Sequence, residues 1–287
     1  YLLNMRCLGI FRELLHSPHR ETDDALILKG VLEELSGQGV QTAQANPEHL
    51  DTLSLDSWDV LLPMCESTSA LHKLIQHEER HPGLFINSPR AVRNCYRTYL
   101  VPILTASSEI AFPATVIRTV GHPAASQIPS ESPSAYWMKR GDVHNTCDRD
   151  VVFISTSAEC EAIRQDFARR SIQHFILQTH IPGDLIKFYG VGPGKWFTWF
   201  YHNPHTAQHY PFDSSALDRM TQKAATALGL EVFGGDAIAT ENGNVVLIDV
   251  NSWPSFARVR MEAKKHIANH ILDKISRRKS LGAVGAK

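Results

Sequence analysis

The sequence predicts a mixed α/β and α+β chain, with an N-terminal α/β domain followed by two α+β lobes. Residues 1–92 alternate short apolar runs with segments of helical periodicity, the pattern of a parallel sheet with helices on its faces. From residue 93 the texture changes to strand-like runs with helical segments set between them. Near the end, Asn242-Gly243 separates two further strand-like runs, a strong short-range hairpin signal.

Taken in order, RCLGIF (6–11) reads as a short buried strand. TDDALILKGVLEELS (22–36) opens on Thr and Asp, carries apolar residues at helical spacing and is stopped by Gly37 and Gly39. VQTAQA (40–45) and WDVLLPM (58–64) are strands, 67–80 a helix, and GLFINSP (83–89) a fourth strand. RNCYRTYLVPILTAS (93–107) is expected as one helix and AFPATVIRT (111–119) as a strand, while the Pro-, Ser- and Ala-rich 121–134 is a loop or linker. Then follow strand AYWMK, the glycine-containing loop RGDVHNT (140–146), strand DVVFIS, helix SAECEAIRQDFARR and strand HFILQTHI. LIKFYGVG and KWFTWFYH form a hairpin around Gly192-Pro193-Gly194, and helix 215–230 precedes the last hairpin. The resulting division is 1–92, 93–180 as a central lobe, 181–275 as a C-terminal lobe, and 276–287 as a flexible tail.

Composition sets bounds. The chain has 287 residues, 43% hydrophobic and 21% charged, the proportions of an ordinary globular protein. Lys plus Arg number 29 against 30 Asp plus Glu, so no overall field directs it to nucleic acid or a membrane surface. Five scattered cysteines without a CxxC fit a reducing compartment better than a disulfide framework or zinc knuckle. No apolar run reaches transmembrane length, and YLLNMRCLGIF lacks the long apolar region and cleavage site of a signal peptide. These features lead to the expectation of a cytoplasmic protein without membrane or nucleic-acid partners.

The most informative stretch is VVLIDVNSWPSF (245–256). Strand alternation puts Leu247, Asp249 and Asn251 on one face and Val246, Ile248 and Val250 on the other. With Asn242-Gly243 as the turn, Asp236 falls opposite Asp249, their Cβ atoms about 5 Å apart. A divalent cation turns that repulsion into attraction, and Asn251 adds an oxygen one pleat further on. Asp236, Asp249 and Asn251 are therefore the expected metal ligands, for Mg²⁺ or for Mn²⁺ in its place. The alternative is a pair of exposed acids at the mouth of a surface hairpin.

The order of these parts (an αβ unit, a strand bearing Lys, a glycine loop, a strand ending in Gln, a hairpin, a helix, then Asp…Asp-x-Asn) resembles the ATP-grasp superfamily. Within it, the chain is similar to carboxylate–amine ligases of the ribosomal-protein glutamyl ligase type and to inositol-phosphate kinases. The resemblance implies an ATP-grasp fold in which 1–92 is the pre-ATP-grasp domain and two lobes enclose the nucleotide. It implies that Lys139 meets the α- and β-phosphates and that the loop of Gly141 and His144 folds over the triphosphate. Gln178, with the backbone of Thr179, His180 and Ile181, would read the adenine edge. Arg97 stands where the family usually has a phosphate-binding lysine, and Lys187 matches a basic residue near the γ-phosphate. The family strand often reads Glu-x-Asn followed by Pro-Gly; here it is Asp-x-Asn followed by Pro254-Ser255.

The function so implied is an ATP- and Mg²⁺-dependent ligase that joins small-molecule carboxylate and amine (or thiol) substrates through an acylphosphate and releases ADP. Lys187, Arg97 and Arg258 would be the catalytic groups. A small-molecule kinase and a non-catalytic nucleotide-binding protein are the alternatives, and monomer and homodimer both stay open. Other motifs carry less. HEERH (77–81) has zincin spacing, but Pro82-Gly83 ends the helix at His81. GVGPGK (190–195) lacks the first Gly and the Ser/Thr of a P-loop. His202, His205 and His209 suit a polar rim. Arg90, Arg93, Arg258 and Arg260 would frame an anionic acceptor or remain surface residues. Trp196, Trp199 and Tyr201 read as packing on one strand face, and Trp253 as core.

Overall fold

The computed structural model describes residues 4–16, 21–122, 124–128 and 135–284. Its first sheet is parallel, with order β2-β1-β3-β4, built from β1 (Arg6–Ile10), β2 (Gln41–Ala45), β3 (Val60–Pro63) and β4 (Leu84–Phe85). Helix α1 (Glu21–Gly37) connects β1 to β2, and α2 (Thr68–Arg80) connects β3 to β4. The apolar stripe of α1, at Ile27, Leu28, Val31 and Leu35, is fully buried, as its spacing requires. The start of α2 is capped twice: Ser67 accepts from the Ala70 amide, and the Glu13 carboxylate accepts from the Glu66 and Ser67 amides, each at 3.0 Å.

The strand expected over 83–89 pairs only at Leu84 and Phe85. Beyond it, the buried Asn87 amide takes the amides of Glu231 and Val232 on its oxygen and donates to the Val232 carbonyl and Ser252 Oγ. This one side chain ties the first sheet to the third. The single helix expected over 93–107 is two: α3 (Pro89–Asn94) and α4 (Arg97–Thr105). Ser88 caps α3 one residue ahead of Pro89, and Tyr96 adopts an extended conformation between the two. The break makes Arg97 the first residue of α4.

The second sheet is antiparallel, order β5-β8-β6-β7, from β5 (Thr115–Thr119), β6 (Tyr136–Arg140), β7 (Val151–Ile154) and β8 (His174–Thr179). Helix α5 (Ser157–Arg169) covers it, entered through a Thr156/Glu159 capping box. Part of the expected linker at 121–134 lies outside the described residues. The fully buried Asp150 anchors the loop after β6, accepting from Arg140, Arg170, the Thr146 hydroxyl and the Thr146 amide.

The third sheet is also antiparallel, order β10-β9-β11-β12, from β9 (Asp184–Val191), β10 (Trp196–Tyr201), β11 (Val232–Ala239) and β12 (Val245–Ser252). A single turn, α6 (Gly192–Lys195), closes the first hairpin, and α7 (Ser214–Leu228) packs behind the sheet. Trp196 packs with Phe256 in one core cluster and Trp199 with Phe212 in another, so they do not share a face; a separation of three along a strand forbids it. Helix α8 (Arg260–Val284) returns to the N-terminal unit and pairs with α1 through Arg260–Asp23 and Lys264–Glu34. The tail expected at 276–287 is therefore helical as far as Val284, and 285–287 lie outside the described residues.

The last hairpin is irregular twice. Its turn is a three-residue loop from Thr240 to Asn244, with Gly243 at φ +78°, in place of the two-residue turn expected. A β-bulge then skips Ile248, restoring the register so that Asp236 does pair with Asp249. The bulge also changes which residues share a face. Leu247 and Val250 both enter the core behind the sheet, while Ile248, Asp249 and Asn251 all line the cleft in front.

Burial by itself would raise the Asp150 carboxyl's pKa, but the Thr146 amide and the two arginines hold it well below the usual carboxylate value. The stability it contributes is complete at neutral pH, starts to be lost as pH falls through the unfolded-state value of about 4, and is gone below the folded-state value. Asp150→Ala, which leaves Arg140 and Arg170 unpaired, is expected to cost about 3 kcal/mol or more at pH 7 in urea unfolding. The wild-type advantage should shrink below pH 4.

Candidate functional site

A cleft of about 640 Å³ lies between the second and third sheets, with α4 and the segment after β1 contributing to its walls. At its centre is Asp249 on β12, 5% exposed. The break between α3 and α4 delivers Arg97 to it: Nη2 donates to Asp249 Oδ2 at 2.7 Å, and the guanidinium is 3% exposed. Arg97 also holds the loop after β6, through Nη1 to the carbonyls of Arg140 and His144, both at 3.1 Å. Burial alone would raise the Asp249 pKa, yet Arg97 and Lys139 outweigh it and hold the carboxyl below its ordinary value.

Lys139 reaches the same floor from β6. Its ammonium is almost wholly buried and donates to the Ile248 carbonyl at 3.2 Å. The Gln178 amide on β8 donates to that carbonyl too, at 3.3 Å. Ile248 is the residue the ladder skips, so the bulge supplies the acceptor that joins the two sheets. Burial pushes the Lys139 pKa down to about 8, with Asp249 opposing part of the fall. Across the third sheet, Lys187 on β9 pairs with Asp236 on β11 at 2.7 Å, each side chain about a quarter exposed.

The cleft thus collects Arg97, Lys139, His144, Gln178, Thr179, His180, Ile181, Lys187, Asp236, Asp249 and Asn251 on its walls. Two expected residues are elsewhere. Arg258 is exposed, donates to the carbonyls of Tyr201 and His202 and stacks on Phe200, which makes it a clamp on the end of β10. Gly141 does not line the cleft; a Cβ there would meet the His174 carbonyl at 2.8 Å, so its small size serves the approach of β8. Gln178 is buried, with its amide nitrogen committed to Ile248.

Sequence reasoning missed two groups. Trp137 lines the cleft two residues before Lys139, on the same strand face, and donates its indole N–H to His180 Nδ1 at 3.2 Å. Parity with Lys139 was the available signal. Arg12, just after β1, is the second: it reaches Glu66 at 2.6 Å, Asp24 at 3.1 Å and the carbonyls of Ser252 and Trp253. Glu66 in turn accepts from the His144 amide, so the N-terminal unit touches the loop over the cleft. Arg12 also grips a strained turn, since Trp253 and Phe256 hold φ values of +45° and +51° with both side chains fully buried. His77 and His81 of HEERH stack on each other, and His209 packs on Tyr201. Among the described residues, no group of three or more His, Cys, Asp or Glu is arranged to hold a metal. The Asp236, Asp249 and Asn251 set offers oxygens only, the donor chemistry that suits a hard divalent cation.

Because the folded-state pKa of Lys139 lies below the ordinary 10.5, the unfolded chain binds more protons between about 8 and 10.5, and stability from this residue rises with pH across that window. A ¹³C NMR titration of the lysine side chains should place the Lys139 midpoint near pH 8, and Asp249→Asn should move it lower. A midpoint near 10.5 in both proteins would contradict the buried placement.

No family model matches this sequence, and no curated protein does. Solved structures match it over nearly its whole length. The D-alanyl-alanine synthetase A of Vibrio cholerae superposes with a TM-score of 0.71 at 9% identity, covering 96% of this chain and 98% of its own. The ATP complex of the D-alanine–D-alanine ligase of Bacillus anthracis gives 0.66 at 10% identity, covering 97% and 99%. A RimK domain ATP-grasp protein from Sphaerobacter thermophilus gives 0.66 at 15% identity, covering 92% and 98%. Among the described residues no helix is long and apolar enough to cross a membrane. With one parallel sheet and two antiparallel sheets about a central cleft, this chain has the ATP-grasp fold.

Proposed function

We propose that the protein is an ATP-dependent carboxylate–amine (or thiol) ligase that releases ADP. The observation that carries this is the convergence, in one cleft, of Arg97, Lys139 and Lys187 with the oxygen set of Asp236, Asp249 and Asn251. Three cations suit a triphosphate, and the acids suit the divalent cation that accompanies it. The structural neighbours, a D-alanyl-alanine synthetase and a D-alanine–D-alanine ligase in complex with ATP, support the same reading.

Charge at the far end of the cleft favours a ligase over a kinase of phosphorylated polyols. There Arg12, His16 and Asp24 line the wall, and among the described residues Glu13, Asp24 and Glu66 surround the Arg12 guanidinium, with His16 Nδ1 3.5 Å from Glu13 and 3.4 Å from Glu66. Such an excess of carboxylate repels a polyanionic acceptor and attracts an ammonium group.

In this reading the β6–β8 end, with Trp137 and the 179–181 segment, holds the nucleobase. Lys139 and Arg97 neutralise the phosphates, and Lys187 follows the γ-phosphoryl group onto the substrate carboxylate. Asp236, Asp249 and Asn251 would hold Mg²⁺, which when bound would offset the negative charge of the phosphates. The loop at 140–146, tied to Glu66 and Asp150, keeps water from the acylphosphate until the amine attacks.

Incubation with Mg-ATP and pools of amino acids, peptides or polyols, with ADP measured and products weighed, tests this. An amide or thioester product with ADP is the expected result. A phosphate ester would establish the kinase instead, and nucleotide binding without ADP under any pool a non-catalytic protein. Asp249→Asn should lower ADP release on the order of 100-fold with the fold intact by circular dichroism; retained turnover would refute the metal assignment.

A further inference from the structure

Both acids of the metal set already have a protein cation. Asp249 is paired with Arg97 at 2.7 Å in a setting where both side chains are at least nine-tenths buried, and Asp236 is paired with Lys187 at 2.7 Å. Resting on the ligase reading above, we propose that Arg97 and Lys187 are built-in counter-ions of the metal site, so that a divalent cation enters only together with a polyphosphate nucleotide.

The reasoning is one of charge. A divalent cation arriving alone must either share the Asp249 carboxylate with Arg97, crowding further positive charge beside the buried ammonium of Lys139, or displace Arg97 from Oδ2 and leave the guanidinium buried without its carboxylate. Leaving a buried charge unpaired costs far more than an exposed pair returns. A nucleotide removes that cost. Its phosphates offer Arg97 and Lys187 new anionic acceptors at the moment the two carboxylates turn to the metal. Metal and nucleotide therefore bind with positive coupling, and each raises the affinity of the other by the same factor.

The same guanidinium makes the loop part of the exchange. Arg97 Nη1 is shared between the carbonyls of Arg140 and His144, and Nη2 lies 3.5 Å from Asn145 Oδ1. When Arg97 turns to a phosphate, these acceptors lose their donor and the loop changes its contacts. Arg97 is in this respect a positioning residue as well as a phosphate ligand. A lysine at this position carries its three donors on one nitrogen, whereas the loop carbonyls and the carboxylate are held by two separate nitrogens of the Arg97 fork.

Mn²⁺ uptake, followed by the loss of the free-ion electron paramagnetic resonance signal, reads this without turnover. Wild-type protein should take up little Mn²⁺ alone and bind it readily once the non-hydrolysable analogue AMP-PNP is present, beyond what the analogue itself binds. Arg97→Met should bind Mn²⁺ unaided at least about tenfold more tightly than wild type, with the coupling to AMP-PNP reduced. Arg97→Lys, which keeps the charge, should behave as wild type toward the metal alone. Lys187→Met repeats the test at the more exposed pair should Arg97→Met fail to fold in a thermal melt. Equal Mn²⁺ affinity with and without AMP-PNP in wild type, or unchanged metal-alone affinity in the methionine variants, overturns the proposal. If AMP-PNP binds but Mn²⁺ never does, the metal assignment itself is wrong and the proposal falls with it. If AMP-PNP does not bind at all, the nucleotide reading is what fails.

Discussion

A carboxylate buried at Asp249 is the constraint around which the rest of the cleft is arranged. A charge so far from water must be met by cations, and the chain brings two from different elements, Arg97 at the start of α4 and Lys139 on β6. Meeting it requires the break between α3 and α4, because a continuous helix over 93–107 would not begin a new first turn at Arg97. It also requires the bulge at Ile248, which turns Asp249 into the cleft and offers a carbonyl to Lys139 and Gln178. The loop after β6 is fastened by the same arginine, and by Asp150 beneath it.

Long-range polar ties add direction to the apolar burial that holds the sheets together. Asn87 joins the first sheet to β11 and β12, and Arg12 joins the segment after β1 to the turn beyond β12. Helix α8 adds its apolar face to α1 and the first sheet, so the C-terminal segment completes the N-terminal core. The strained backbone at Trp253 and Phe256 is held between these ties. It lies beside Pro254 and Ser255 on the cleft wall, where the resemblance would have placed a Pro-Gly pair.

Much of this was legible in the sequence. Periodicity located most β and α elements of the first 92 residues, the order of motifs singled out Lys139 and Lys187, and the hairpin register singled out Asp236 and Asp249, all of which line the cleft. The facing acids emerged correctly although the turn and the parity behind them did not: a loop one residue longer than Asn242-Gly243 implies shifts the ladder, and the bulge shifts it back. Bulges leave no mark in a hydrophobic pattern, so Leu247 was placed on the wrong face. Arg258 was misplaced because charge alone does not tell a pocket arginine from one stacked on Phe200. Arg12 could not be found by local reading, since its partners Glu66 and Ser252 are 54 and 240 residues away.

The central claim is that a nucleoside triphosphate and its metal sit between the second and third sheets, over Asp236 and Asp249. The most direct measurement is anomalous diffraction from crystals grown with Mn²⁺ and AMP-PNP. The expected result is a manganese peak within coordination distance of oxygens of Asp236, Asp249 and Asn251, with Arg97 turned from Asp249 to phosphate. A nucleotide bound elsewhere, or one bound in the cleft with the Arg97–Asp249 pair intact and no metal on either acid, would contradict it.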